Sequence, residues 1–340
     1  MTMLQRLGAF LLCLLATLMG SSAYIVYRNT LTGYPVGASF FWFSLFAFIS
    51  ALCMPTTRSP PFYVEPPGAS WWRSLKKVSL WFYLLDGLLY TLDFACILYN
   101  LHSRELGVVV TILIVAQIRP IATTILGVRF LHDTCKSWTV FVVGGLMTIA
   151  GVIIYGYPSK DEIGVDTANA TFLGINLVIL IAFIGLVFEV VQGTIDAYYR
   201  RKTAITQADA SANLFASATI LGFIWMLMEH TFIEASPGLP PLPTAAQLAP
   251  LAFLGLAPTA LGAIMRNVVR DQLGVPTVDV IGNMRPVFAI IIGLIPFSWF
   301  ATKNPSFTPE HTGGILLTVA GTIIVALFAK GEAAKQPTKS

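Results

Sequence analysis

Charged side chains are scarce in this chain. They make up 11% of its 340 residues, where a soluble domain carries about 25%. A surface that faces water needs those charges, so an ordinary pair of soluble domains is excluded. Histidine is scarcer still. His102, His132, His230 and His311 fall at loops or helix ends, far apart in sequence. No His-Glu-x-x-His or Gly-x-Ser-x-Gly motif occurs, which argues against a membrane-embedded enzyme. No Gly-Lys-Ser/Thr phosphate loop occurs either, so this chain supplies no ATP site of that type. The four cysteines, Cys13, Cys53, Cys96 and Cys135, lack metal or disulfide spacing and read as packing residues. No basic stripe interleaved with aromatics appears, so the net charge of +4 gives no sign of a nucleic-acid partner.

Apolar residues are what the chain has. They reach 56%, with a mean hydropathy of +0.74, and they fall in runs near the roughly 20 residues that span a bilayer. The runs predict an all-α, multi-pass membrane protein with ten spans. These are 7–27, 37–54, 78–101, 106–131, 137–156, 172–195, 211–229, 248–268, 275–300 and 312–329. The first run, behind Arg6, also fits a cleaved signal peptide ending at Gly20-Ser21-Ser22-Ala23. Its continuation through Val26 suits a retained span better. Pro-rich connectors follow the second span (Pro55 to Gly68) and the seventh (Ser236 to Pro243).

Lys and Arg are unevenly shared between alternate connectors. One side receives Arg6, Arg58, Arg73, Lys76, Lys77, Arg129, Lys136, Arg200, Arg201, Lys202, Arg270, Lys330, Lys335 and Lys339. The other receives Arg28, Arg104, Lys160 and Lys303, beside the acidic residues Asp161, Glu162 and Asp166. Positive residues stay inside, so both termini are expected in the cytoplasm and the loop at Arg200 with them. Short loops and the lack of an obvious targeting segment point to a bacterial inner membrane.

The chain repeats itself. Gln117-Ile118-Arg119-Pro120 has a counterpart in Asn283-Met284-Arg285-Pro286. The stretch from Gly144 to Gly151 parallels that from Gly314 to Gly321, and Asn100 with Leu106-Gly107 parallels Asn267 with Leu273-Gly274. Three matches in one order divide the chain into a first half, 1–160, and a second, 161–340. Each half holds five spans, an odd number, so the second lies inverted. Inverted repeats mark secondary transporters that bind substrate near the midplane.

With these features the sequence resembles the drug/metabolite transporter superfamily, with EamA-type halves. The resemblance extends over nearly the whole chain. It is strongest where each half closes with a polar helix and then a glycine-rich one ending Thr-Ile-Ala-Gly or Thr-Val-Ala-Gly. It implies ten helices, both ends cytoplasmic, and a transport activity. Nucleotide-sugar and sugar-phosphate exchangers of this superfamily carry a substrate-facing basic residue in the ninth helix, which Arg285 resembles.

Arg119 and Arg285 lie about 10 or more residues from either end of their spans. A charge at that depth costs at least about 2.5–3.5 kcal/mol unless paired or hydrated. Their forked guanidinium groups suit a carboxylate or phosphate, so they read as an anion site. The bland alternative is a structural ion pair with a buried acid. Pro120 and Pro286 each remove a backbone donor and are expected to kink their helices. Asp86 and Asp93, seven apart, share one helix face. They either bind a cationic group, carry a coupling proton, or form a fixed salt bridge from Asp93 to Arg119. Tyr90 lies between them as a substrate contact or a packed aromatic. Glu189, Gln192 and Asp196 read as a gate or proton site near the end of the sixth span, with Asp196 also placed for an ion pair with Arg200. Gln117 and Asn283 are candidate polar contacts.

The expected activity is secondary transport of a small organic metabolite, anionic or zwitterionic, by alternating access. Its partners are that substrate, a coupling proton and the lipid bilayer, with no cofactor and no metal. Export of amino acids or drugs is the alternative within the superfamily. A channel or a membrane-embedded enzyme is the alternative outside it.

Overall fold

The structure is a computed structural model. It describes residues 3–31, 33–53, 80–101, 106–130, 135–156, 171–172, 175–203, 207–233, 240, 242–262, 265, 281–282, 284–293, 295, 299–300 and 309–325. Both Pro-rich connectors lie largely outside the described residues. So do Asn267, Leu273 and Gly274 of the repeat.

Among the described residues the chain folds as helices, which fall in ten segments that follow the apolar runs. The first three are α1 (Met3–Thr30), α2 (Val36–Cys53) and α3 (Leu80–Leu101). The fourth is broken into α4 (Leu106–Val115) and α5 (Arg119–Phe130) around a 3-10 turn, Ala116–Ile118. The fifth is α6 (Trp138–Gly156). A two-stranded antiparallel ribbon, Thr171–Phe172 with Ile175–Asn176, leads into the sixth, α7 (Leu177–Thr203). The seventh, α8 (Gln207–Met228), ends in a π-helical turn, Glu229–Ile233. The eighth runs from α9 (Ala245–Leu254) into a second π-helical stretch, Gly255–Leu261. The ninth contains α10 (Arg285–Gly293), and the tenth is α11 (Pro309–Ile324).

Six of these helices are long and apolar enough to cross a membrane. Three shorter apolar helices lie at Trp138–Ile154, Ala245–Leu261 and Thr312–Ile324. One boundary differs from expectation. The sixth segment runs on to Thr203, so Arg200, Arg201 and Lys202 end a helix rather than occupy a loop. Consecutive basic residues favour a helix C-terminus, where backbone carbonyls carry partial negative charge.

The outside of the bundle is greasy, and its apolar core also encloses polar side chains. Leu7, Leu11 and Leu15 line an exposed stripe on α1, Leu85, Leu88 and Leu92 one on α3, and Leu146, Ile149 and Ile153 one on α6. Buried within the otherwise apolar core are Ser21, Ser39, Ser44, Asp86, Asp93, Asn100, Gln117 and Thr148. Water disfavours such extended exposed apolar stripes. Hydrocarbon favours them, provided each helix satisfies its own backbone. Buried hydroxyls help by bonding back one turn, as Thr17 does to the Cys13 carbonyl (2.8 Å) and Ser21 to that of Thr17 (2.9 Å).

The pairing of segments has a pattern. The second packs on the seventh, and the fifth on the tenth. The third packs on the sixth and the eighth on the first; the third on the seventh and the eighth on the second; the fourth on the sixth and the ninth on the first. Moving five places along the chain carries each of these larger pairings onto another or onto itself.

A close backbone approach lies between α6 and α11. A Cβ on Gly144 would stand 2.8 Å from the carbonyl oxygen of Gly321, and one on Gly321 would stand 2.6 Å from that of Gly144. A Cβ on Gly151 would stand 2.7 Å from the carbonyl oxygen of Gly314. Between them the hydroxyls of Thr148 and Thr322 are 3.4 Å apart. The first glycine of one stretch thus opposes the last of the other, and the reverse, which is antiparallel packing. Small residues permit such contact where no hydrophobic drive exists between helices.

Candidate functional site

Two buried acids and a partly buried ion pair gather where α3 and α7 run side by side. Pro120 sets up the first of them. It has no N–H to give to the Ala116 carbonyl, and the Arg119 N–H takes that acceptor instead. The result is the 3-10 turn that separates α4 from α5. Arg119 therefore leaves the chain at a break in the fourth segment, and its Nη1 forms an ion pair with the Glu189 carboxylate of α7. The two side chains are 35% and 27% exposed.

Glu189 belongs to a face of α7 that also presents Gly185 and Gln192, at i−4 and i+3. Opposite it, α3 presents Asp93 and Asp86. A Cβ on Gly185 would lie 3.2 Å from Oδ1 of Asp93, so the missing side chain leaves room for that carboxylate. Asp93 is within electrostatic reach of both Glu189 and Arg119. At the other end, Gln192 Nε2 donates to Asp86 Oδ1 at 2.8 Å. Glu189 thus stands between the two acids of α3. Arg119 takes Glu189 as its ion-pair partner, while Asp93, the acid named from sequence, is a neighbour of that pair.

Other candidates take quieter places. Tyr90 packs among Phe40, Phe94 and Phe215, with ring centroids 6.2, 4.6 and 6.0 Å away. Gln117 is buried. Its Nε2 donates to the Leu113 carbonyl at 3.0 Å, and its buried Oε1 has no partner among the described residues. Asn283 lies outside the described residues, and so does the side chain of Arg200.

Arg285 opens α10, with Pro286 buried behind it. Its carbonyl accepts from Ser21 Oγ at 3.3 Å. Its guanidinium rests on α1, with Nε 3.7 Å from where a Cβ on Gly20 would be. That Nε is buried with no hydrogen-bond partner, and no carboxylate pairs with Arg285 among the described residues. The two arginines therefore contact corresponding helices, the sixth segment and the first. The offsets read from the arginines and from the glycines map Glu189 onto residues 19–23, which read Met-Gly-Ser-Ser-Ala and hold no acid.

Sequence reasoning missed one further link between the halves. The Glu229 carboxylate, in the π-helical turn after α8, accepts from the first backbone N–H groups of α2, Val36 (3.1 Å) and Gly37. An anion at a helix N-terminus meets unpaired donors and a favourable dipole. A Cβ on Gly37 would sit 2.8 Å from Glu229 Oε2, so the glycine keeps that cap accessible. The signal was an acid ending one apolar run and a Gly-Tyr-Pro turn opening another.

No family model matches the chain, and no curated protein matches it. Among solved structures it is similar to a crystal structure described only as that of a protein. That likeness has a TM-score of 0.57 and covers 95% of this chain and 99% of the other at 16% identity. At such identity it carries the fold alone, so the fold of the whole chain is one that another protein shares.

Proposed function

We propose that the chain is a secondary transporter for a small organic anion, working by alternating access between two inverted halves of five segments each. The observation that carries this reading is Arg285. It is a fixed cation on an apolar helix, it has no carboxylate partner among the described residues, and its repeat counterpart has one. An uncompensated charge at that depth is costly, and such residues mark substrate pathways. A carboxylate or phosphate would fill both prongs of its fork.

Three things support the wider frame. The outward-facing apolar stripes fit a bilayer. The larger segment pairings exchange when five places are added, as an internal two-fold requires. The glycine-rich α6 and α11, matched in sequence, oppose each other antiparallel, as inversion requires. Membership of the drug/metabolite transporter superfamily, ten spans and cytoplasmic termini belong to the same proposal.

The test is thermal stability of the purified protein against organic acids, phosphates, nucleotide sugars and amino acids. A ligand held at 100 times its Kd stabilises by about 2.7 kcal/mol. Arg285→Ala is expected to abolish the shift while the unliganded protein stays folded, and Arg285→Lys to restore only part of it. An unchanged shift in a folded Arg285→Ala protein overturns the anion site.

A further inference from the structure

The α3–α7 face carries more carboxylate than its guanidinium balances. Asp86 is answered by Gln192. Glu189 is answered by Arg119. Asp93 is 6% exposed, and no hydrogen bond reaches it among the described residues. Its Oδ1 points into the gap at Gly185, one turn along α7 from Glu189. Among the described residues no further charged group acts on it. Cys96, also at that gap, is neutral as a thiol, and α2 carries no charged residue. The acid of α8, Asp209, lies at that helix's N-terminal end, and the described cation of α1, Arg28, ends that helix.

Two carboxylates facing one guanidinium leave one negative charge over when both are ionised. In a low-dielectric interior a lone charge is disfavoured far more than a neutral, hydrogen-bonded acid. Carboxylates that share a site resolve this by sharing a proton.

We propose that Asp93 and Glu189 together hold one exchangeable proton beside Arg119, and that this proton travels with the transported anion. The coupling rests on the transporter reading above; the proton site rests on the α3–α7 geometry alone. The chemistry is a single protonation. A proton from water on one side forms an O–H bond on one carboxylate, which then donates to the other, and that bond breaks, returning the proton to water, when the site opens to the opposite side.

Two measurements on the full-length protein in lipid decide it. The first is infrared difference spectroscopy between acidic and alkaline buffer, with no anion added. The wild type is expected to show a protonated-carboxyl C=O band that moves in heavy water and titrates. Asp93→Asn and Glu189→Gln should each lose it, because one carboxylate then remains to pair with Arg119. Asp93→Glu should keep the band at a shifted frequency, and it serves if either neutral variant fails to fold. A wild-type spectrum identical to that of Asp93→Asn overturns the site.

The second uses proteoliposomes with a pH-sensitive dye inside, given inorganic phosphate, succinate or glutamate in turn. Entry of an anion should change the lumenal pH, and Asp93→Asn should remove that change. Anion entry without a pH change overturns the coupling. A titrating band with no entry of any of the three anions upholds the proton site and counts against the transporter reading.

Discussion

Two arginines occupy matched positions in the halves of this chain, and the halves treat them differently. Arg119 reaches α7 and finds Glu189. Arg285 reaches α1, the corresponding helix, and finds Gly20 with Ser21 beside it. The helices that the two arginines contact correspond in the order of segments, while the charge partner does not. One guanidinium is held in a charge cluster; on the transporter reading, the other would meet the anion that enters. The difference is a matter of one side chain, which makes it experimentally reversible.

The largest effect is expected from removing one member of the closed pair. Glu189→Ala removes the ion-pair partner of Arg119 and leaves only the more distant Asp93 to replace it, and Arg119→Ala strands Glu189 and Asp93 together. Breaking a fully buried pair costs about 3–5 kcal/mol. With the two side chains about one-third exposed, a loss of roughly 1–3 kcal/mol is expected here, read as a lowered melting temperature without ligand. The double variant should recover part of the loss, as coupled neighbours do. Arg285→Ala should cost the unliganded protein far less. Equal losses at both arginines would erase the contrast.

A sharper change transplants the partner. Gly20→Glu places a carboxylate on α1 beside Arg285, where a Cβ meets its guanidinium at ordinary contact distance. The variant is expected to be at least as stable as the wild type without ligand and to lose anion-induced stabilisation. Retained anion binding in a folded Gly20→Glu protein would show that the anion sits elsewhere.

The smallest effect concerns the break that delivers Arg119. Pro120→Ala restores an N–H able to reach the Ala116 carbonyl, so the 3-10 turn should relax into continuous α-helix. A helix-interior alanine is favourable by itself, so thermal stability should change by less than about 1 kcal/mol. Transport should slow, because Arg119 would leave a straightened helix at a different angle. Normal rates in a folded variant would make the break incidental.

The fold was legible to a useful depth. Each predicted span overlaps a described helix, because apolar runs bounded by breakers are the strongest signal a sequence offers. The break before Arg119 was legible too, since a proline inside a span removes a donor wherever it sits. The partner of Arg119 was not. Asp93 lies closer in sequence and at a comparable depth, whereas Glu189 stands 70 residues away. Which acid reaches the guanidinium depends on the antiparallel register of α3 against α7, a packing result that no single-helix pattern encodes. The clue was present as Gly185, Glu189 and Gln192 on one face, complementary to Asp93 and Asp86. Only the register turns that list into rungs. Tyr90 was ambiguous for the same reason, since an aromatic among three others in space looks like an isolated polar ring in sequence.

The glycine cross between α6 and α11 has a mechanical meaning. Interlocked side chains behave like teeth, and turning one helix against another means lifting each tooth out of its notch. Here backbone rests on backbone, with two hydroxyls between, so there is little to lift. Such a surface bears load but offers slight resistance to rocking, as an axle does. On the transporter reading the halves would tilt about this line. The Glu229 clasp on α2, which ties one half to the other through two N–H groups, would be a latch that has to release when they part.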